Sequence, residues 1–194
     1  MFLCLLEILV IETVGNRIIS PIQGSAYMAL ADIRELSASL VLRLRLQEFY
    51  EKYCIKLDQL DLESWSKMFD NTARYEITSR ENYSQGLPYA TMFCEGLAMI
   101  KDRAEATVGT VIFEDRVLRR FVSCLEVVDR TGDELSCHAN FLVTESIAEN
   151  ESRIIAVGQY VDLIREMPNG EFVILRRQCV VDNYWLPRSF PLPI

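Results

Sequence analysis

Four apolar stretches decide the fold of this chain: RVLRRFVSCLEVV (116–128), ELSCHANFLVTES (134–146), SRIIAVGQYVDLIRE (152–166) and EFVILRRQCVVD (171–182). Each is rich in β-branched and aromatic residues, which favour extended strands. Short polar segments separate them: DRTGD (129–133), IAENE (147–151) and MPNG (167–170). Because connections this short join antiparallel neighbours, we predict four consecutive strands of an antiparallel meander.

The second stretch indicates how this sheet is buried. Its apolar residues occupy every other position: Leu135, Cys137, Ala139, Phe141 and Val143. Polar residues stand between them: Glu134, Ser136, His138, Asn140 and Thr144. Successive side chains of a strand point to opposite faces, so one face of the sheet packs on a core and the other meets water or a polar partner. Elements N-terminal to the sheet must cover the apolar face.

The first half of the chain predicts that cover. Apolar residues at helical spacing predict a long amphipathic helix over residues 32–57, a short one over 61–69 and a third over 93–104. Alternation predicts a short strand over 73–78, and turn-forming residues predict a loop over 79–88. Helices followed by an antiparallel sheet define an α+β fold. We expect a cone, in which a curved, mainly antiparallel sheet wraps around the long helix.

We predict a single domain over residues 28–194, preceded by an extension over residues 1–27. The extension begins with an apolar stretch that is interrupted by two glutamates, lacks a basic region and is too short to span a bilayer as a helix. Residues 15–27 contain Gly, Pro and Ser without a helical or strand period, which is typical of a loose arm. Either Met28 is the natural first residue, or the extension docks on a partner.

Charge and cysteine usage limit the classes of function. The 194 residues carry a formal net charge of -8, without a run of Lys or Arg that could neutralise phosphates. Nucleic acid and anionic membranes are therefore not expected partners. Six cysteines are scattered without a Cys-x-x-Cys pair. We interpret them as buried thiols of a cytoplasmic protein rather than as disulfides or metal ligands.

Candidate catalytic residues are few. His138 is the single histidine, so neither a Rieske cluster nor a mononuclear iron site with two histidines can be assembled from this chain. We expect His138 on the polar side of its strand, solvated or in contact with a partner. Four other polar residues are expected to point into the mouth of the cone: Tyr160, Asp162, Arg176 and Gln178. A buried carboxylate beside a tyrosine can act as a general base with a raised pKa, or it can belong to a polar network that ties the sheet to the helix.

Six short motifs occur in an order that resembles a known family: WSKMF (65–69), ARYEI (73–77), ENY (81–83) with GLP (86–88), MIKDR (99–103), GQYVD (158–162) and RRQCVVD (176–182). From about residue 44 onward, the chain resembles the small (β) subunit of bacterial aromatic-ring-hydroxylating dioxygenases. The stretch NYSQGLP (82–88) is most similar to the branch that acts on monocyclic aromatic carboxylates such as salicylate, terephthalate or anthranilate. The chain departs from the family pattern at residues 119–121 (RRF), where many relatives have Arg-His, and at 93–95 (FCE).

This resemblance implies a cone-shaped domain of the nuclear-transport-factor-2-like type and a non-catalytic, structural role. In that family the large α subunit carries the Rieske iron–sulfur cluster and the catalytic iron, and small subunits pack beneath a trimer of large ones. The implied partner is therefore the large subunit, in a hetero-hexamer of three large and three small subunits. A reductase or ferredoxin would be met only indirectly, and no catalytic residue, metal ligand or cofactor site is expected in this chain.

The apolar tail YWLPRSFPLPI (184–194) is the expected docking element. Its three prolines prevent it from continuing the sheet, and its aromatic and aliphatic side chains are costly to expose. Either the tail docks on the large subunit, so that its deletion leaves this domain folded, or it folds back over its own sheet. The alternative function is a free-standing isomerase or cyclase with an acid–base pair at Asp162 and Tyr160, or a ligand-binding protein without chemistry.

Overall fold

The computed structural model describes residues 21–111, 116–147, 151–182 and 193–194. The chain forms two units, Met1–Leu42 and Arg43–Ile194. Helix α1 (Pro21–Asp58) supplies the described part of the first unit and begins the second.

In the first unit, residues 21–42 are helical throughout. The prediction of a loose arm over residues 15–27 is therefore wrong for 21–27, while 15–20 lie outside the described residues. Proline is favourable at the first helical position because its fixed φ suits a helix and its missing N–H has no helical partner there. The side chains of Ile33, Leu36, Leu40 and Val41 are all more than half exposed. A start at Met28 stays a prediction.

In the second unit, the elements that follow α1 are α2 (Leu62–Ser66), β1 (Phe69–Ser79), α3 (Arg80–Ser84), β2 (Met92–Glu95), α4 (Gly96–Val111), β3 (Arg116–Thr131), β4 (Glu134–Ile147), β5 (Arg153–Glu166) and β6 (Phe172–Val181). Within the described part of the chain, the strands form one sheet in the order β2-β1-β6-β5-β4-β3. The predicted meander of β3 to β6 is confirmed. Strand β1 joins it by pairing in parallel with β6, and β2 pairs antiparallel with β1.

Two local predictions in the first half of the chain are wrong. The predicted helix over residues 93–104 begins only at Gly96, whose φ of +80° ends strand β2 in a conformation that suits glycine. In β2, Met92 and Cys94 are buried whereas Phe93 faces outward, so the residues alternate with the period of a strand. The predicted loop over 79–88 contains helix α3, because the Ser79 hydroxyl accepts a hydrogen bond from the Asn82 amide and caps its first turn.

The core of the second unit lies between residues 43–58 of α1 and one face of the sheet. The predicted alternation along β4 is confirmed, since the alternate residues Leu135, Cys137, Ala139, Phe141 and Val143 are at most 2% exposed. Helix α1 contributes aromatic rings to this core: Phe49 meets Phe172 of β6 with ring centroids 5.7 Å apart, and Tyr53 meets Tyr160 of β5 at 6.1 Å. None of the described helices is both long and apolar enough to cross a membrane.

One glycine allows β5 to lie close to its neighbours. A Cβ atom at Gly158 would lie 2.8 Å from Cζ of Phe141 and 3.0 Å from the main-chain carbon of Val180. Both distances are shorter than an ordinary contact between carbon atoms. The first residue of the GQYVD motif is therefore a glycine for steric reasons.

Candidate functional site

A charged pair is buried on the covered face of the sheet. Arg177 of β6 donates from Nε to Oδ1 of Asp162 at 2.9 Å and from Nη2 to Oδ2 at 2.6 Å. The two residues face each other across the β5–β6 ladder, and both side chains are fully buried. The two parallel hydrogen bonds engage both oxygens of the Asp162 carboxylate.

Helix α1 joins this pair through Tyr50. Its hydroxyl donates to Oδ2 of Asp162 at 2.5 Å. Burial, and after it the charge of Asp162, raise the pKa of Tyr50 well above its usual value, so this hydroxyl stays protonated and remains a donor. The polar network that ties the sheet to the helix, one of the two alternatives left open by the sequence, is therefore present.

Aromatic rings surround the buried guanidinium. Its central carbon lies 3.9 Å from the ring centroid of Tyr53, 4.4 Å from that of Tyr160 and 5.0 Å from that of Tyr50. Cation–π attraction offsets part of the cost of removing the charge from water. Among the described residues, the Tyr160 hydroxyl and Nη1 of Arg177 are buried without a hydrogen-bond partner.

Of the four residues expected in the mouth of the cone, two are placed correctly. Asp162 and Tyr160 point into the core, as predicted. The prediction is wrong for Arg176, which is exposed, and for Gln178, which donates to Glu76 on the other face of the sheet.

A β-bulge explains this error. The β5–β6 ladder passes from Ile164 opposite Ile174 to Leu163 opposite Arg176, so β6 holds one extra residue there. An extra residue reverses the alternation beyond it. Arg177 rather than Arg176 therefore points inward. The only sequence feature that marked Arg177 was its position in the RRQ run.

The end of the described chain fills a second part of the interior. Ile194 is fully buried. Its amide donates to the Tyr75 hydroxyl at 2.8 Å, and the Tyr53 hydroxyl donates to its main-chain oxygen at 2.6 Å. Arg120 donates to the oxygen of Pro193 at 2.7 Å and to Oδ1 of Asp58 at 2.6 Å. The tail thus folds back into its own domain at residues 193–194, while 184–192 lie outside the described residues.

His138 lies away from this interior. It is half-buried on the opposite face of the sheet, as predicted, between Glu126 of β3 and Val161 of β5 in the ladder. Within the described ranges, no group of three or more His, Cys, Asp or Glu side chains is placed to hold a metal ion.

Three buried thiols lie around the charged pair and its tyrosines. Burial raises the pKa of Cys54 to about 11, and that of Cys137 and Cys179 to about 12 in each case, from an ordinary value of 9.0. Each thiol is therefore neutral in the folded protein at neutral pH. The interpretation of the cysteines as free, buried thiols is confirmed for these three and for Cys94, whereas Cys124 is exposed.

We expect the free energy of unfolding to fall as pH rises from about 9 to about 12. The unfolded thiols lose their protons near pH 9, whereas the folded ones keep them up to pH 11 or 12. Their contribution to stability is complete below pH 9 and is lost as pH rises through that window, by up to about 1.4 kcal/mol per pH unit for each thiol. Urea unfolding at several pH values measures the slope, and Cys179→Ala should make it shallower. A stability that is constant over this range would contradict the assignment.

The fold and the interior together define a class of protein. It is a nuclear-transport-factor-2-like α+β domain in which residues 43–58 of α1, an ion pair and residues 193–194 occupy the covered side of the sheet. Residues 55–188 match the family model described as "Ring hydroxylating beta subunit". The chain therefore belongs to the family of β subunits of ring-hydroxylating oxygenases, which confirms the family and the fold expected from the sequence.

Individual relatives agree with this assignment. The small subunit of anthranilate 1,2-dioxygenase from Burkholderia cepacia is 30% identical over 119 residues, which are 61% of this chain and 74% of that protein. Subunit β 1 of the terminal oxygenase component of terephthalate 1,2-dioxygenase from a Comamonas species is 21% identical over 155 residues, which are 80% of this chain and 100% of that protein. A solved structure from Novosphingobium aromaticivorans, described as the β subunit of an aromatic-ring-hydroxylating dioxygenase, is 27% identical. The match covers 81% of this chain and 99% of that one, with a TM-score of 0.73.

Proposed function

We propose that this chain is the non-catalytic small subunit of a terminal oxygenase component whose substrate is an aromatic carboxylate. The family match supports the oxygenase, because it covers residues 55–188. Two relatives support the substrate class, since anthranilate and terephthalate, which appear in their names, are both aromatic carboxylates.

The hydrogen bonds and the burial of Asp162 are the observation that supports a structural role. A general base must lie within hydrogen-bond reach of the proton that it removes, so its carboxylate must be open to a substrate or to water. Both oxygens of Asp162 are instead engaged by Arg177, and Oδ2 also accepts from Tyr50. The carboxylate is fully buried, and in a second part of the interior Ile194 is held by Tyr53 and Tyr75. These contacts favour a rigid interior over the alternative acid–base site at Asp162 and Tyr160.

The partner in this proposal is a larger subunit that holds the Rieske cluster and the catalytic iron. The names of the relatives, "small subunit" and "subunit beta", denote members of multi-subunit components. A single histidine cannot supply the ligands of either iron site, so these groups do not fit this chain. We include in the proposal three large and three small subunits, a location in the cytoplasm, and electron delivery to the large subunit by a reductase or ferredoxin.

Tyr160→Phe tests whether the Tyr160 hydroxyl takes part in catalysis by the complete oxygenase. We expect the complete oxygenase that contains this variant to keep its turnover within about twofold, because the Tyr160 hydroxyl has no hydrogen-bond partner among the described residues and the ring still packs on Phe141. An acid–base role would instead cost about 100- to 10,000-fold in turnover. The readout is turnover per iron of the purified complex.

Tyr50→Phe is the matched control. It removes the same chemical group but breaks a hydrogen bond to Asp162. We expect it to lower the free energy of unfolding by about 1.5–3 kcal/mol, while the turnover of the assembled complex is retained. A hundredfold loss of turnover in Tyr160→Phe, with the complex intact, would refute the structural role.

A further inference from the structure

One of the six family motifs exposes its aromatic residue. The other motifs bury their aromatic residues: Trp65, Tyr75 and Tyr160 are fully buried. The motif that contains α3 and the following loop exposes 42% of Tyr83 and 41% of Leu87. Tyr89, two residues further along, is 68% exposed. Core packing explains the other aromatic residues, but it does not explain these side chains.

The exposed side chains stand on a loop that is held in place. The Thr78 hydroxyl donates to the main-chain oxygen of Tyr89 at 2.7 Å, and the Asn82 side chain donates to the same oxygen at 3.3 Å. The Leu87 amide donates to the main-chain oxygen of Asn82 at 2.9 Å. A loop that is already ordered loses little conformational entropy when a partner binds.

Two hollows lie on either side of Tyr83, which lines both. The first has a volume of about 310 Å³ and lies between the loop and residues Glu76 and Gln178. The second has a volume of about 430 Å³ and is bordered by Asn140 and Gln159. These polar residues alternate with core-facing ones, so they belong to the sheet face that α1 does not cover. We call Tyr83, Leu87, Tyr89 and the two hollows the Tyr83 surface.

The charges within each hollow are already paired. In the first, Nη2 of Arg74 lies 3.1 Å from Oε2 of Glu76. In the second, Nη2 of Arg80 lies 2.8 Å from Oδ1 of Asp182. A charged side chain from a partner would lose its hydration on binding. A neutral surface would compensate for little of that free-energy cost. Because the hollows carry no net charge, they complement uncharged aromatic or aliphatic side chains. The side-chain amides of Asn140 and Gln159 can then form hydrogen bonds with main-chain groups of the partner.

We propose that the Tyr83 surface is a docking site for the large subunit, and that an uncharged segment of that subunit inserts an apolar side chain into each hollow. This inference rests on the proposed function. The surface lies within residues 55–188, the part of the chain that matches the family model, and the partner that small subunits have in common is the large subunit. Exposed aromatic side chains beside pockets are typical of the residues that dominate binding energy.

Two other exposed apolar surfaces fit this partner less well. Residues 33–41 of α1 precede the family match at 55–188, so they are not part of what the chain shares with its relatives. Phe121, which is 56% exposed, lies on β3, at the edge of the sheet opposite β2 and β1. Both positions therefore serve as controls.

The test is the affinity of the full-length chain for the large subunit, measured by biolayer interferometry with the large subunit immobilised. Tyr83→Ala and Tyr89→Ala should each raise Kd by about 10- to 100-fold. Leu40→Ala and Phe121→Ala remove exposed apolar side chains of similar kind, and Kd should stay within about twofold of wild type. Melting temperatures should be unchanged in all four variants, because the replaced side chains are exposed.

The outcomes distinguish this inference from the proposed function. If the wild-type chain does not bind the large subunit, both are wrong. If it binds and the two tyrosine variants bind equally well, the Tyr83 surface is not the docking site, while the proposed function stands. If the tyrosine variants lose only self-association of this chain, the surface belongs to a second copy, which also overturns the inference.

Discussion

Replacing Arg177 by methionine is expected to lower the free energy of unfolding by about 3–5 kcal/mol, the largest effect of any single change discussed for this domain. The variant leaves the Asp162 carboxylate fully buried and without its ion-pair partner. It also removes the cation that lies 3.9 Å from the ring centroid of Tyr53. For a domain of this size, the melting temperature should fall by about 6–20 °C. Urea unfolding monitored by circular dichroism measures the change.

Arg176→Met is the matched control for this experiment. It makes the same chemical change one residue earlier, where the side chain is exposed, and should alter stability by no more than about 0.5 kcal/mol. The double variant Asp162→Leu, Arg177→Met removes both charges, and should recover much of the loss. Equal effects of the two single arginine variants would contradict the placement of Arg177 in the interior.

The second large effect is expected at Ile194. Ile194→Ala should lower the free energy of unfolding by about 2–5 kcal/mol, because a fully buried side chain is truncated and a cavity remains. The main-chain hydrogen bonds to Tyr53 and Tyr75 can persist, so the experiment reports the packing of the side chain. Ile154→Ala is the control, since Ile154 is 59% exposed and should tolerate the same truncation.

This result would also decide between the two expected roles of the tail. A tail that serves only to dock on a partner would leave the stability of the isolated chain unchanged in Ile194→Ala. The contacts of residues 193–194 with Tyr53, Tyr75 and Arg120 indicate instead that removal of the tail weakens this domain itself. Loss of binding after such a deletion would then not identify a docking site.

The meander could be predicted because its signals are local. Alternation along residues 135–143 defines the buried face of β4, and the segments between stretches have the composition of turns. The parallel pairing of β1 with β6 could not be read in this way, because it joins segments that are about one hundred residues apart. Strand β2 was not predicted because its four residues are too few to show a periodic pattern.

The interior was predictable only in part. Asp162 and Tyr160 follow the alternation of an uninterrupted strand, and both point inward. Arg177 lies beyond a bulge, which no composition rule locates, so the prediction selected its neighbour Arg176. The position of Ile194 depends on main-chain hydrogen bonds to two tyrosine hydroxyls, and the sequence pattern carries no information about such bonds.

Arg120 has a structural role in this chain. It is buried and bridges Asp58 at the end of α1 to the main chain of Pro193. Its planar guanidinium donates to both acceptors at once. Arg120 therefore connects the helix to residues 193–194.

Native mass spectrometry of the complex isolated from the source of this chain, with iron analysis of the same sample, tests the role of a structural subunit most directly. We expect an assembly that contains a larger, iron-bearing chain, from which this chain dissociates without iron. A homo-oligomer of this chain that lacks a larger subunit and turns over a substrate by itself would contradict that role.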